Sequence, residues 1–122
     1  MRVLTPIQSA FVNHSSDGNT QVVSTGNLAV LRAFSATPDG LNNKLGEAVV
    51  KFRDGTVTGD VKLTYQVPYV SIAAAVTISY GVRTPCVLIP IPGIGIRFEN
   101  GMNVELDVQS LTLSVEVQVF YT

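Results

Sequence analysis

The chain has 122 residues and a formal net charge of −1, from 8 basic and 9 acidic side chains scattered singly. Charged residues make up 14% and hydrophobic ones 46%, against roughly 25% charged in an ordinary soluble domain. The length fits one domain with a real core. The scattered charge offers no basic stripe to follow a phosphate backbone, which argues against nucleic acid as a partner.

A small domain so poor in charge must leave some surface apolar, and such surface is usually hidden against another subunit. In chain order, residues 1–20 carry little periodicity and read as an arm that orders on assembly, with the domain proper over 21–122. The opening "MRVLTPIQSAFVNHSSDG" lacks the continuous apolar core of a secretory signal, so the expectation is synthesis in a cytoplasm. "LAVLRAFSA" (28–36) predicts a mostly buried strand, and "TPDGLNNKLG" (37–46) a loop rich in turn formers.

"TVTGDVKLTYQV" (56–67) has strict period two, with Val57, Val61, Leu63, Tyr65 and Val67 on one parity. A two-residue turn at Asp54-Gly55 would pair Phe52 with Val57, Val50 with Gly59 and Ala48 with Val61, matching the apolar faces. "YVSIAAAVTISYGV" (69–82) is rich in β-branched residues and lies between prolines 68 and 85, so strand is preferred to helix. "TPCVLIPIPGIG" carries three prolines and fits only an edge strand or extended arm. Neither oily run is long and unbroken enough to span a bilayer.

Ile94, Ile96 and Phe98 share even parity with Met102, Val104 and Leu106. A hairpin with a three-residue loop, Glu99-Asn100-Gly101, would pair Phe98 with Met102 and Ile96 with Val104, with Gly101 in the left-handed position. After Val108 the apolar parity flips to Leu111, Leu113, Val115, Val117, Val119 and Tyr121. Either a tight turn at Gln109-Ser110 or a bulge in one long strand produces that flip. Seven or eight mainly antiparallel strands without a convincing helix predict an all-β, single-domain β-sandwich or jelly roll.

The chemistry is sparse. The single histidine, His14, lies in the polar run "NHSSDG" and reads as a solvated loop residue, since sequence neighbours cannot form a catalytic relay. The lone Cys86 excludes an intrachain disulfide framework and reads as a small buried hydrophobe. No EF-type calcium spacing is present, and the glycines of "IPGIGIRF" precede no helix, so they are not a phosphate loop. No catalytic set, metal site or cofactor is expected, and an enzyme is disfavoured. Tryptophan is absent; Tyr69, Tyr80 and Tyr121 are the rings available for stacking on a sugar, with packing the commoner role. The 69–92 region lacks polar alternation and is expected to form the oligomer or partner interface, through Val70, Ile72, Val87, Ile89 and Ile91.

The stretch "IPGIGIRFENGMNVEL", followed by a strand ending "VEVQVFYT", resembles the C-terminal region of small β-rich virion proteins of tailed bacteriophages, of the kind found in phages of marine bacteria and cyanobacteria. The shared pattern is Pro92-Gly93, a short strand through Arg97-Phe98, Asn100-Gly101, then alternating strands closing on Val119-Phe120-Tyr121, roughly the last 35 residues. The resemblance implies a capsid decoration (cement) protein, acting as a homotrimer on the virion's capsid surface with the major capsid protein or another virion protein as partner. A head-fibre or head–tail role is also compatible. A carbohydrate- or receptor-binding sandwich on a fibre or tail is the alternative. Neither nucleic acid nor membrane is an expected partner.

Overall fold

The computed structural model describes residues 7–14, 18–40, 45–71, 82–83, 88–108 and 114–122. They form ten strand segments: β1 (Gln8–His14), β2 (Gly18–Val23), β3 (Ala29–Gly40), β4 (Leu45–Asp54), β5 (Asp60–Ser71), β6 (Val82–Arg83), β7 (Leu88–Pro90), β8 (Ile96–Phe98), β9 (Met102–Val108) and β10 (Ser114–Tyr121). Every pairing is antiparallel. One sheet, here sheet A, runs β1-β10-β3 with β6, β7 and β8 all on the far side of β3; sheet B runs β2-β9-β4-β5.

The three short segments are one interrupted ribbon. β6 pairs with residues 39–40 of β3, β7 with 33–35 and β8 with 29–31, so the chain travels antiparallel along a single partner. Between Pro90, opposite Ala33, and Ile96, opposite Leu31, the ribbon advances six residues while β3 advances two, so four residues loop out. The break is where proline cannot donate to a ladder. Gly93 follows Pro92 at φ 69°, a left-handed backbone conformation that glycine adopts without a Cβ penalty.

Counted as ribbons, the described residues form eight, paired first with last, second with seventh, third with sixth and fourth with fifth. That is one long antiparallel hairpin, bent at the β4–β5 loop and rolled into two four-stranded sheets: a jelly roll. The all-β, jelly-roll-like sandwich expected from the strand pattern is the fold observed.

The core lies between the sheets. β10 contributes Val115, Val117 and Val119, and β9 contributes Met102, Val104 and Leu106, all fully buried. Phe34 of sheet A lies 5.0 Å from the ring of Phe52 and 5.1 Å from that of Tyr65, both on sheet B. Burial of each large side chain contributes about 1.5–3 kcal/mol, and edge-to-face ring contacts add specificity of position.

Several local expectations change. The β4–β5 turn is a five-residue loop, 55–59: Asp54 faces Asp60, Phe52 faces Leu63, Val50 faces Tyr65 and Ala48 faces Val67. Leu63, Tyr65 and Val67 do turn inward, but Val57 and Val61 are exposed. The reason is tertiary. The Asp54 carboxylate accepts the backbone N–H groups of Glu99 (3.1 Å) and Asn100 (2.9 Å), and Gly55 N–H donates to Gly101 O (3.1 Å). Those bonds commit Asp54-Gly55 to a neighbouring connection instead of a tight turn.

The 99–101 loop is likewise not a hairpin. β8 belongs to sheet A and β9 to sheet B, so Phe98 and Met102 are both buried in the core but are not partners on a ladder. Even parity marked burial correctly but not the partner. Gly101 has φ 89°, and a Cβ there would lie 2.6 Å from Val23 O. β9 and β10 lie in different sheets; Gln109-Ser110, where a turn or a bulge was expected, lies outside the described residues. The expected loop over 37–46 is strand through Gly40 and again from Leu45, because pairing to β10 and β6 overrides local turn chemistry. Finally, the N-terminal stretch read as an arm includes β1 and the start of β2, with β1 paired to β10 over its whole length.

Candidate interaction surface

Alternation in a sandwich strand sends one side chain inward and the next to the outer face. On sheet A the outer face is built from rows set by register. One row is Phe11, Gln118, Ser35 and Leu88; the next is Ser9, Phe120, Ala33 and Pro90. Neither row holds a charge. Phe11 is 70% exposed and Leu88 56%.

The looped-out turn stands beside these rows. Ile94, at its tip, is 86% exposed. Its presentation is braced from below: Arg32 Nη1 donates to Ile94 O (3.0 Å) and Arg32 Nε donates to Thr122 Oγ1 (3.2 Å). A Cβ on Gly95 (φ 87°) would lie 2.5 Å from Leu31 O, so the turn sits directly on β3. Charge flanks these rows: the next row by register is Asn13, Glu116 and Thr37, and Arg97 pairs with Glu99 at 2.8 Å.

The outer face of sheet B differs. Its rows read Asn19, Glu105, Lys51 and Thr64, then Gln21, Asn103, Arg53 and Val61. Glu105 sits between Arg53 (3.3 Å) and Lys51 (3.8 Å), and Arg53 Nη1 donates to Gly59 O (2.9 Å). A shallow cleft of about 180 Å³ opens there, lined by Gly18, Asn19, Lys51, Arg53, Glu105 and Asp107. Its two cations and two carboxylates balance, and the lining includes no aromatic ring. Asn103 is buried; its Nδ2 donates to Gln21 Oε1 (3.0 Å), while its Oδ1 and Arg53 Nε have no hydrogen-bond partner.

Three connections tie the sheets together at one end of the sandwich. Gly26 N–H donates to Asn100 Oδ1 (2.6 Å), Gly101 N–H to Asn27 O (2.7 Å), and Gln21 Nε2 to Gly55 O (2.7 Å). Together with the Asp54 carboxylate, these bonds join the β2–β3, β4–β5 and β8–β9 connections.

Of the residues expected at an interface, Ile89 and Ile91 are partly buried against the core. Ile72, Val87 and the side chain of Val70 lie outside the described residues. The same ribbon presents Leu88 and Ile94 instead, and β1 supplies Phe11. Phe11 sits between Ala10 and Val12 in a short apolar run; its signal was that it shares parity with Ser9, opposite to Val12. His14 is the last residue of β1, opposite Val115, and not a loop residue. Tyr121 packs partly against the core, as does Tyr65; Tyr80, Cys86 and the side chain of Tyr69 lie outside the described residues. Among the described residues, no group of three or more His, Cys, Asp or Glu is placed to hold a metal, and no helix is long and apolar enough to cross a membrane.

No family model and no curated protein matches the sequence. Two solved structures are similar in outline. One is the VP2 subviral particle of infectious bursal disease virus, with 12% identity and a TM-score of 0.39, covering 94% of this chain and 37% of that one. The other is a Bacillus endospore appendage, of a family of disulfide-linked pili, with 12% identity and a TM-score of 0.33, covering 100% of this chain and 96% of that one. The chain therefore spans little more than a third of the VP2 chain it matches.

Proposed function

We propose that this chain is a structural protein of a virus particle, a capsid decoration protein of a tailed bacteriophage that binds shell subunits and stabilises the lattice. The observation that supports this reading best is the outer face of sheet A, with two adjacent rows free of charge and with Phe11, Leu88 and Ile94 standing out from it. Exposed apolar surface of this kind favours a protein partner, and the jelly-roll topology supplies a rigid platform for it. The mechanism is mechanical: weak contacts repeated around a shell hold by avidity, without a tight single site.

The test is co-sedimentation of the purified chain with undecorated phage heads, followed by heating. Saturable binding at a fixed number of copies per head, with a raised disruption temperature, supports the proposal. Heads that neither bind the chain nor gain heat resistance refute it.

A further inference from the structure

We infer that the outer edge of β1, which among the described residues pairs only with β10, is a self-association site, at which β1 pairs antiparallel with β1 of a second copy about a two-fold axis. This rests on the edge alone and not on the capsid proposal.

Exposed edges invite pairing, and folded proteins usually guard them with charge, proline or bulges. Three of the four sheet edges here are guarded. β2 has a register shift between Gln21 and Val23. β5 contains Asp60, Lys62 and Pro68, and its ladder shifts register twice. The ribbon beyond β3 is broken by Pro90 and the four looped-out residues. β1 carries none of these devices. Its sequence, QSAFVNH, has no proline, lysine, arginine or carboxylate, and its register against β10 is unbroken over all seven residues. Gln8, Ser9 and Phe11 are exposed.

The occupant follows from the order of residues. Read from either end, β1 runs polar, polar, apolar, Phe, apolar, polar, polar. Full-length antiparallel pairing with itself is centred on Phe11 and sets Phe11 opposite Phe11 of the second copy, Ala10 opposite Val12, and Ser9 opposite Asn13. This register preserves parity, so the core-facing Ala10 and Val12 meet each other and not a solvent-facing residue. Two phenylalanines opposed across the axis cover one another, which a single copy leaves 70% exposed. A two-fold contact is self-complementary by construction. The product joins two copies of sheet A into one continuous sheet.

The experiment combines light scattering behind a sizing column with disulfide trapping. The full chain is expected at twice 13.0 kDa. Phe11→Lys, a change at an exposed position, is expected to keep the far-ultraviolet circular dichroism spectrum and to weaken the dimer by about tenfold or more. Under mild oxidation with oxidised glutathione, Phe11→Cys is expected to give an 11–11 cross-linked peptide by mass spectrometry, since directly opposed Cα atoms lie within disulfide reach. Ser9→Cys is expected to give no 9–9 peptide, because in this register those residues are roughly 14 Å apart along the strands. A monomer overturns the inference, as does a dimer that Phe11→Lys leaves intact or that cross-links through residue 9 and not 11. A trimer, the form implied by the phage resemblance, lacks the two-fold axis and also overturns it, while leaving the capsid proposal standing.

Discussion

The two sheets bury the same kind of residue inward and differ outward. Sheet B covers its outer face with a polar lattice in which Glu105 links Lys51 and Arg53 and Asn103 reaches Gln21. Sheet A shows Phe11, Leu88 and the braced tip of Ile94 across rows free of charge. The charge deficit seen in the composition is therefore not spread evenly but has a side. That asymmetry is the observation on which the proposed docking of sheet A rests.

The sharpest way to break the comparison is to remove what makes the two sheets one body. Phe34→Ala deletes the ring that touches Phe52 and Tyr65 across the core. It is expected to cost about 3–5 kcal/mol, read as a lower midpoint in urea, with both faces lost in a single transition. Gly101→Ala acts at the tied end. It forces a side chain into φ 89° and against Val23 O, with an expected loss of about 1–3 kcal/mol and faster hydrogen exchange at Gly26 and Gly55.

On the polar face, Glu105→Gln removes the shared carboxylate of two partly buried ion pairs. The expected loss is about 0.2–1 kcal/mol, shrinking as salt is raised, with no change in solution mass. On the apolar face, Leu88→Asp is expected to move stability by no more than about 0.5 kcal/mol while abolishing binding to undecorated heads. If Glu105→Gln abolishes binding and Leu88→Asp does not, the working face has been assigned to the wrong sheet. Ile91→Asp, attractive from the sequence alone, does not make this distinction, because Ile91 packs partly against the core and the charge would act there too.

Parity carried most of what was legible in the sequence. The alternation of Leu63, Tyr65 and Val67, of Met102, Val104 and Leu106, and of Val115, Val117 and Val119 named core residues and an all-β class, because period two is a property of the strand itself. Partners were not legible. Phe98 and Met102 share a parity whether they lie side by side or face each other across a sandwich. Asp54-Gly55 looks like a tight turn until its carboxylate is taken by the backbone of residues 99 and 100. The interface residues were the hardest to read. Phe11 is one ring between Ala10 and Val12, and only the register against Gln118 shows that it belongs to the same row as Leu88.

Pairing the first ribbon with the last has a consequence in time. β1 meets no partner among the described residues except β10, and Gln8 faces Tyr121 from the other end of the chain. The β4–β5 hairpin closes locally, but each ribbon pair outward from it spans a longer loop and pays more entropy to close. On a ribosome adding about 5–20 residues per second, β1 waits roughly 5–20 s before its partner has been made. Throughout that interval the least guarded strand of the molecule carries no carboxylate, lysine or arginine and lacks β10. The hazard of a wrong partner is therefore greatest during synthesis, and it falls on the segment where the finished protein has the most use for a right one.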